Sequence, residues 1–166
     1  MKNTAIKNET VEKLKGVINA ENTLSSCCER LSHLIKNGRI KDQFRMLSAT
    51  AQLNEKLLIG RLSHLGVDTF MVGEKCKSCR VNPDSFSLLG AINLGIEITG
   101  IAIKFYRDLY AMSTQEEKKL FTKLLKEKIQ QRDALKKERR FDHKNKENFI
   151  DQYCFSQIIP RLSEKL

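Results

Sequence analysis

Hydrophobic residues recur at intervals of three and four along most of the chain, which is the pattern of amphipathic helices. The first run predicts a helix from Glu9 to about Lys36, with Asn37-Gly38 supplying the left-handed residue that ends it. The second run predicts a helix from about Lys41 to Leu65, which stops at Gly66. The inward positions of these two helices are Leu14, Val17, Leu24, Leu31, Ile35, Phe44, Leu47, Ala51, Leu58, Leu62 and Leu65.

Two later runs predict a second pair of long helices. Asn82-Pro83 is a helix-starting pair, so helix three is expected to run from there to about Met112. Ser113 and Glu116 have the spacing of a capping box, which predicts a fourth helix that continues to about Arg140. The inward positions of this pair are Leu88, Ile92, Gly95, Thr99, Ala102, Tyr106, Leu109, Phe121, Leu124, Lys128, Gln131 and Leu135.

The connections between the helices predict an all-α, antiparallel four-helix bundle. A short turn makes the first two helices a hairpin, whereas the 18-residue segment GVDTFMVGEKCKSCRVNP is long enough for a crossover between helices two and three. A short fifth helix is predicted from Lys146 to Ile158, before the break at Pro160. We therefore expect a single domain over residues 1–166, with the bundle at 9–140 and a basic linker and C-terminal helix at 141–166.

Each of the four inward faces carries one polar residue near its middle. These residues are Glu21, Glu55, Thr99 and Lys128. In a bundle such positions meet near the centre, where an unpaired charge costs several kcal/mol. Four coincident polar positions indicate a common cause, and a metal site is the first candidate.

Both halves of the predicted bundle resemble a known family. The stretch AINLGIEITGIAIKFYRDLYAMSTQEEKKLFTKLLKEKIQQRDAL looks like the second half of a rubrerythrin-type, ferritin-like bundle, and INAENTLSSCCERL with MLSATAQLNEKLLIGRL resembles the first half. Members of that family bind two iron or manganese ions with a Glu from each of two helices and an E-x-x-H pair from each of the other two. The resemblance implies that the corresponding positions here are Glu21, Gln52, Glu55, Thr99, Lys128 and Gln131.

This chain departs from the family's ligand set at most of those positions. Only Glu21 matches outright, because Thr is a poor ligand, Gln a weak one and a protonated Lys is no ligand at all. The three histidines, His33, His64 and His143, lie near helix ends or in the basic linker and do not restore the set. We expect no cofactor at the bundle centre.

The departures predict a polar cluster in place of the metals. Lys128 would bring a fixed positive charge that pairs with Glu21 and Glu55, while Gln52, Thr99 and Gln131 provide hydrogen bonds. In the alternative interpretation Lys128 reaches solvent and the two glutamates sit on helix boundaries.

The cysteines raise a second candidate site. Cys76 and Cys79 form a C-x-x-C flanked by basic residues, which fits a zinc site completed by Cys154 or a symmetric partner, a reversible disulfide, or two unliganded loop cysteines. Cys27 and Cys28 are expected to be small buried hydrophobes.

Charge and hydropathy limit the partners and the location. The net charge is +10, and the run from Lys136 to Lys146 holds six Lys or Arg against two acids, so it fits either nucleic-acid binding or a solvated helix end. The longest apolar stretch contains Asn93 and Glu97 and is expected to be too short and too polar for a membrane span, and the N-terminus has no signal-peptide pattern. These features predict a soluble, cytoplasmic protein with no membrane partner.

Apolar residues on the outer faces of helices one and three predict a homodimer or larger oligomer. They are Ile18, Leu34, Ile96 and Ile103.

The first functional hypothesis is a non-catalytic ferritin-like bundle that acts as an oligomeric scaffold or interaction module with an unknown protein partner. The alternatives are a divergent di-metal oxidase or peroxidase, a thiol redox or zinc protein that uses Cys76 and Cys79, and nucleic-acid binding at the basic run.

Overall fold

The structure is a computed structural model that describes residues 2–69 and 86–142. These residues form four α-helices, with no strand in either range: α1 at Lys2–Leu34, α2 at Gly38–His64, α3 at Leu88–Met112 and α4 at Gln115–Asp142. The predicted all-α class is confirmed. Most of the predicted crossover and all of the predicted fifth helix lie outside the described residues.

Local side-chain chemistry sets the helix ends, and three predicted signals act differently from expected. Helix α3 begins at Leu88 rather than at Asn82-Pro83, because the Ser87 hydroxyl accepts a hydrogen bond from the Gly90 amide and caps the helix there. Asn37 does not end α1; its side-chain oxygen accepts a hydrogen bond from the Ile40 amide, so it caps the start of α2. The capping box begins one residue later than predicted, because the backbone and hydroxyl of Thr114 both donate to Glu117 Oε2, at 3.0 and 2.9 Å. Gly66, the predicted stop of the second helix, takes a left-handed conformation with φ of 74° just after α2 ends.

Helix α1 packs against both α2 and α3, and α3 in turn packs against α4. The start of α1 lies beside the end of α3, as the Lys13–Asp108 ion pair shows, and the start of α2 lies beside the end of α4 through the Arg39–Glu138 pair. Neighbouring helices are therefore antiparallel. Phe44 of α2 lies close to Gly95 of α3, so the first halves of these two helices are level and both helices run in the same direction.

The core divides into two apolar clusters, one towards each end of the bundle. The first gathers side chains from the later part of α1 and the early parts of α2 and α3, and the second gathers the earlier part of α1 and the later parts of α2 and α3. Most of the predicted inward positions are buried, although Leu65, Leu88 and Gln131 are only partly so.

The predicted oligomer contacts are not on the surface. Ile18, Ile96 and Ile103 are buried inside the bundle, and Leu34 is partly buried. The reason is that α1 and α3 each pack on two neighbours, so their apolar faces are wider than the stripe of a two-sided helix. A homodimer stays a prediction, but these residues do not provide its interface.

Helix α3 is long and apolar enough to span a membrane by length and composition, with a mean hydropathy of 1.5 over its most apolar window. Asn93 and Glu97 interrupt the apolar run, as the sequence indicates, but they do not lower its average hydropathy below that of a membrane-spanning helix. Burial accounts for the composition, since 61% of that window lies inside the bundle.

At Gly16, α1 lies close against the Phe105 ring of α3, which generates a testable prediction. A Cβ atom at Gly16 would lie within 3.0 Å of three carbons of the buried Phe105 ring. We expect Gly16→Ala to destabilise the protein by about 1–3 kcal/mol through overpacking, despite the higher helix propensity of alanine. Chemical denaturation measures the effect.

Gly60 is the matched control, because it lies in α2 with open space where its Cβ would be. Gly60→Ala should stabilise the protein by about 0.5–1 kcal/mol. Equal gains from both substitutions would show that α1 and α3 are not in contact at Gly16.

Candidate functional site

An ion pair between α1 and α4 occupies the centre of the bundle. Lys128 Nζ lies 2.6 Å from Glu21 Oε2, and both side chains are 0% exposed. Apart from this ion pair, neither atom has a hydrogen-bond partner among the described residues. The pair lies in a polar layer between the two apolar clusters. Along α1, Glu21 lies between Ala20 of one cluster and Leu24 of the other. Along α4, Lys128 lies between the buried residues of one cluster and those of the other.

The second oxygen of Glu21 ties the remaining two helices to the pair. Glu21 Oε1 accepts a hydrogen bond from the Tyr106 hydroxyl of α3 at 2.6 Å and a longer one from Asn54 Nδ2 of α2 at 3.4 Å. Asn54 Nδ2 also donates to Glu127 Oε1 at 3.0 Å. One carboxylate thus contacts polar groups from all three other helices, which fixes their relative heights.

Burial controls the electrostatics of this site. Loss of water raises the pKa of Glu21 above its usual value, and the positive charge of Lys128 and the hydrogen bonds from Lys128, Tyr106 and Asn54 offset only part of that effect. Burial, followed by the negative charge of Glu21, raises the pKa of Tyr106 well above its usual value. Tyr106 therefore stays protonated and acts as a hydrogen-bond donor to the carboxylate.

Three of the predicted cluster residues lie away from the ion pair. Gln52 is exposed, and Glu55 is partly buried on the side of α2 that faces α1, where it accepts a hydrogen bond from Asn22 Nδ2 at 2.9 Å. Gln131 lies between α2 and α4, and its Oε1 is buried without a donor in the described part of the chain. The predictions that Gln52 belongs to the buried cluster and that Glu55 pairs with Lys128 were wrong.

The remaining predicted residue, Thr99, is fully buried but does not hydrogen-bond to the pair. Its hydroxyl donates to the carbonyl oxygen of Gly95 in its own helix at 2.6 Å, as threonine commonly does within helices.

The sequence analysis did not identify Asn54 and Tyr106 as members of the site, although the sequence contains an indication of each. Asn54 lies three residues after Ala51 and four before Leu58, which is the spacing of the inward face. Tyr106 was placed correctly in the core, and a buried tyrosine hydroxyl requires a hydrogen-bond partner. Glu55, one residue further along, is rotated by about 100° from Asn54 and leaves the inward face.

The donor set does not fit a di-metal centre. An ammonium group has no lone pair to offer a metal, and its charge repels a divalent ion from the oxygen it contacts. Within residues 2–69 and 86–142, no group of three or more His, Cys, Asp or Glu side chains could hold a metal ion. His33 and His64 are exposed, while Cys76, Cys79, Cys154 and His143 lie outside the described residues.

No family model, curated protein or solved structure matches this chain.

The ion pair predicts a large effect of replacing Lys128. Lys128→Met leaves the Glu21 carboxylate buried without its counter-charge, which should lower the free energy of unfolding by about 3–5 kcal/mol or force Glu21 to take up a proton. Urea denaturation at neutral pH measures the change.

Lys126→Met is the control, because Lys126 is exposed on the same helix. That substitution should change stability by no more than about 0.5 kcal/mol. If the two variants were equally stable, Lys128 would be solvated rather than buried against Glu21.

Proposed function

We propose that this chain is a ferritin-like four-helix bundle that lacks the family's di-metal centre and acts as a non-catalytic, oligomeric scaffold or interaction module. The observation that supports it most strongly is the buried ammonium of Lys128, 2.6 Å from Glu21 Oε2. A positive charge at that point takes the electrostatic role that metal ions have between the carboxylates of a di-metal bundle.

The directions of the helices favour this family over a simple up-and-down bundle. Since α2 and α3 run in the same direction, the chain between them has to connect opposite ends of the bundle. We infer a long crossover there, as in ferritin-like folds, and a fifth helix after Asp142.

The chemistry of the centre supports a non-catalytic role. Di-metal oxidases and peroxidases need carboxylate and imidazole ligands around each ion, and here one carboxylate is already engaged by Lys128, Tyr106 and Asn54. A tight polar contact of this kind holds four helices in register, which suits a protein whose role is to present a fixed surface.

Metal analysis of the full chain, purified without an affinity tag, tests this proposal. After incubation with Fe²⁺ or Mn²⁺ and removal of the excess, we expect no stoichiometric iron or manganese and no rise in melting temperature, because an ion that binds only the folded state would stabilise it. Two irons or two manganese ions per chain would contradict the proposal.

Zinc is measured separately in the same experiment, because it reports on Cys76 and Cys79 rather than on the bundle centre. A variant with both cysteines replaced by alanine is the control. Zinc that is lost in this variant would support the alternative function as a zinc protein, and zinc that is retained would point to other ligands.

A further inference from the structure

The outer face of α2 carries an apolar stripe that nothing in the described structure covers. Met46, Leu53 and Leu57 are 68%, 67% and 43% exposed, and Ala49 and Gly60 on the same face are also exposed. Spacings of seven and four residues place these side chains in one line along the helix, roughly 20 Å long from the first to the last. A continuous exposed apolar stripe indicates a binding surface.

A groove between α2 and α4 continues this stripe. It has a volume of about 100 Å³ and is lined by Gln43, Met46, Leu47, Thr50, Gln131, Ala134 and Leu135. Each wall holds one buried amide oxygen, Gln43 Oε1 on α2 and Gln131 Oε1 on α4, that has no hydrogen-bond donor in the described part of the chain. Buried acceptors are nearly always satisfied in folded proteins, so the groove calls for a partner that brings donors.

We propose that residues 147–159 of the same chain, ENFIDQYCFSQII, dock on this combined surface, the stripe of α2 and its groove with α4. The proposal concerns a different region from the ion pair and does not depend on whether the bundle centre binds metal.

The end of α4 places this segment next to the groove. Helix α4 ends at Asp142, at the same end of the bundle where α2 begins, because Arg39 pairs with Glu138 at 2.7 Å. Leu135, in the groove, lies two helical turns before that end, roughly 10 Å away. The four residues 143–146 can span up to about 13 Å when extended, which is enough to reverse direction. Thirteen helical residues then extend about 20 Å, the length of the stripe.

The segment also has the side chains that this surface requires. Phe149, Ile150 and Tyr153 have helical spacing and offer an apolar face to the stripe. The Tyr153 hydroxyl and the amide of Gln157 are donors of the kind that the two unpaired oxygens lack.

Charge favours the segment over a second copy of the chain. Residues 147–159 contain Glu147 and Asp151 and no basic residue. Lys123 and Lys137 are exposed on α4 on the same side as Ala134 of the groove, by helical spacing. A second copy carries a net charge of +10 and is repelled by these lysines, whereas the segment, with two acids and no base, is attracted to them.

Cysteine labelling of the full chain tests this docking. The reporter is Leu53→Cys in a chain whose Cys76, Cys79 and Cys154 are alanine; Cys27 and Cys28 remain because they are buried. We expect a maleimide to react with the reporter chain at least about tenfold more slowly than with the same chain carrying Ile150→Asp. This ratio corresponds to a docked state favoured by about 1.4 kcal/mol. Ser163→Asp adds the same charge outside the segment and should leave the reaction slow.

A second reporter, Lys104→Cys on the exposed face of α3, should react at the same rate with and without Ile150→Asp. This reporter and the helical circular dichroism signal together check that each variant is folded. Equal labelling of Leu53→Cys with and without Ile150→Asp would overturn the proposal. Labelling that is slow but accelerates when the protein is diluted would also overturn it, because a second copy would then be the occupant.

Discussion

Charge cannot be left unpaired in the interior of this bundle, and the contact between Lys128 and Glu21 is where that constraint is met. Both side chains are fully buried at 2.6 Å, and an isolated buried charge would remove a large part of the roughly 5–15 kcal/mol by which a domain is stable. The pair joins α1 to α4 across the bundle, and the other carboxylate oxygen reaches α3 through Tyr106 and α2 through Asn54. Shifting one helix by a turn would break this contact, so the ion pair specifies one register for all four helices.

The polar layer also explains how the rest of the core is arranged. Apolar side chains collect above and below it, in two clusters, because hydrophobic groups cannot replace the partners that the carboxylate and the ammonium require. Helices α2 and α4 also make polar contacts with each other, through Arg39 with Glu138 and Asn54 with Glu127. The outer side of α2, away from these polar contacts, is apolar and is not covered by the other three helices.

Much of this architecture could be predicted from the periodicity of the sequence, because burial repeats with the helical turn. The four helices and most of their inward residues follow from it, and so does the placement of Glu21 and Lys128 on facing stripes. The sequence predictions were wrong where a shift of one residue changes the outcome. Glu55 is next to Asn54 but points about 100° away from it, and Thr114 rather than Ser113 starts the capping box. The oligomer surface was misplaced because a stripe of apolar residues does not reveal how many neighbours a helix has.

A double-mutant cycle on Glu21→Gln and Lys128→Met tests the central claim most directly. Removing both charges should cost less than the sum of the two single substitutions, since neither charge is then left alone, and we expect a coupling free energy of at least about 1 kcal/mol from denaturant unfolding at neutral pH. Glutamine at position 21 keeps an acceptor for the Tyr106 hydroxyl, so the cycle isolates the ion pair. Additive effects, within about 0.5 kcal/mol, would contradict the account, because two residues that do not interact change stability independently.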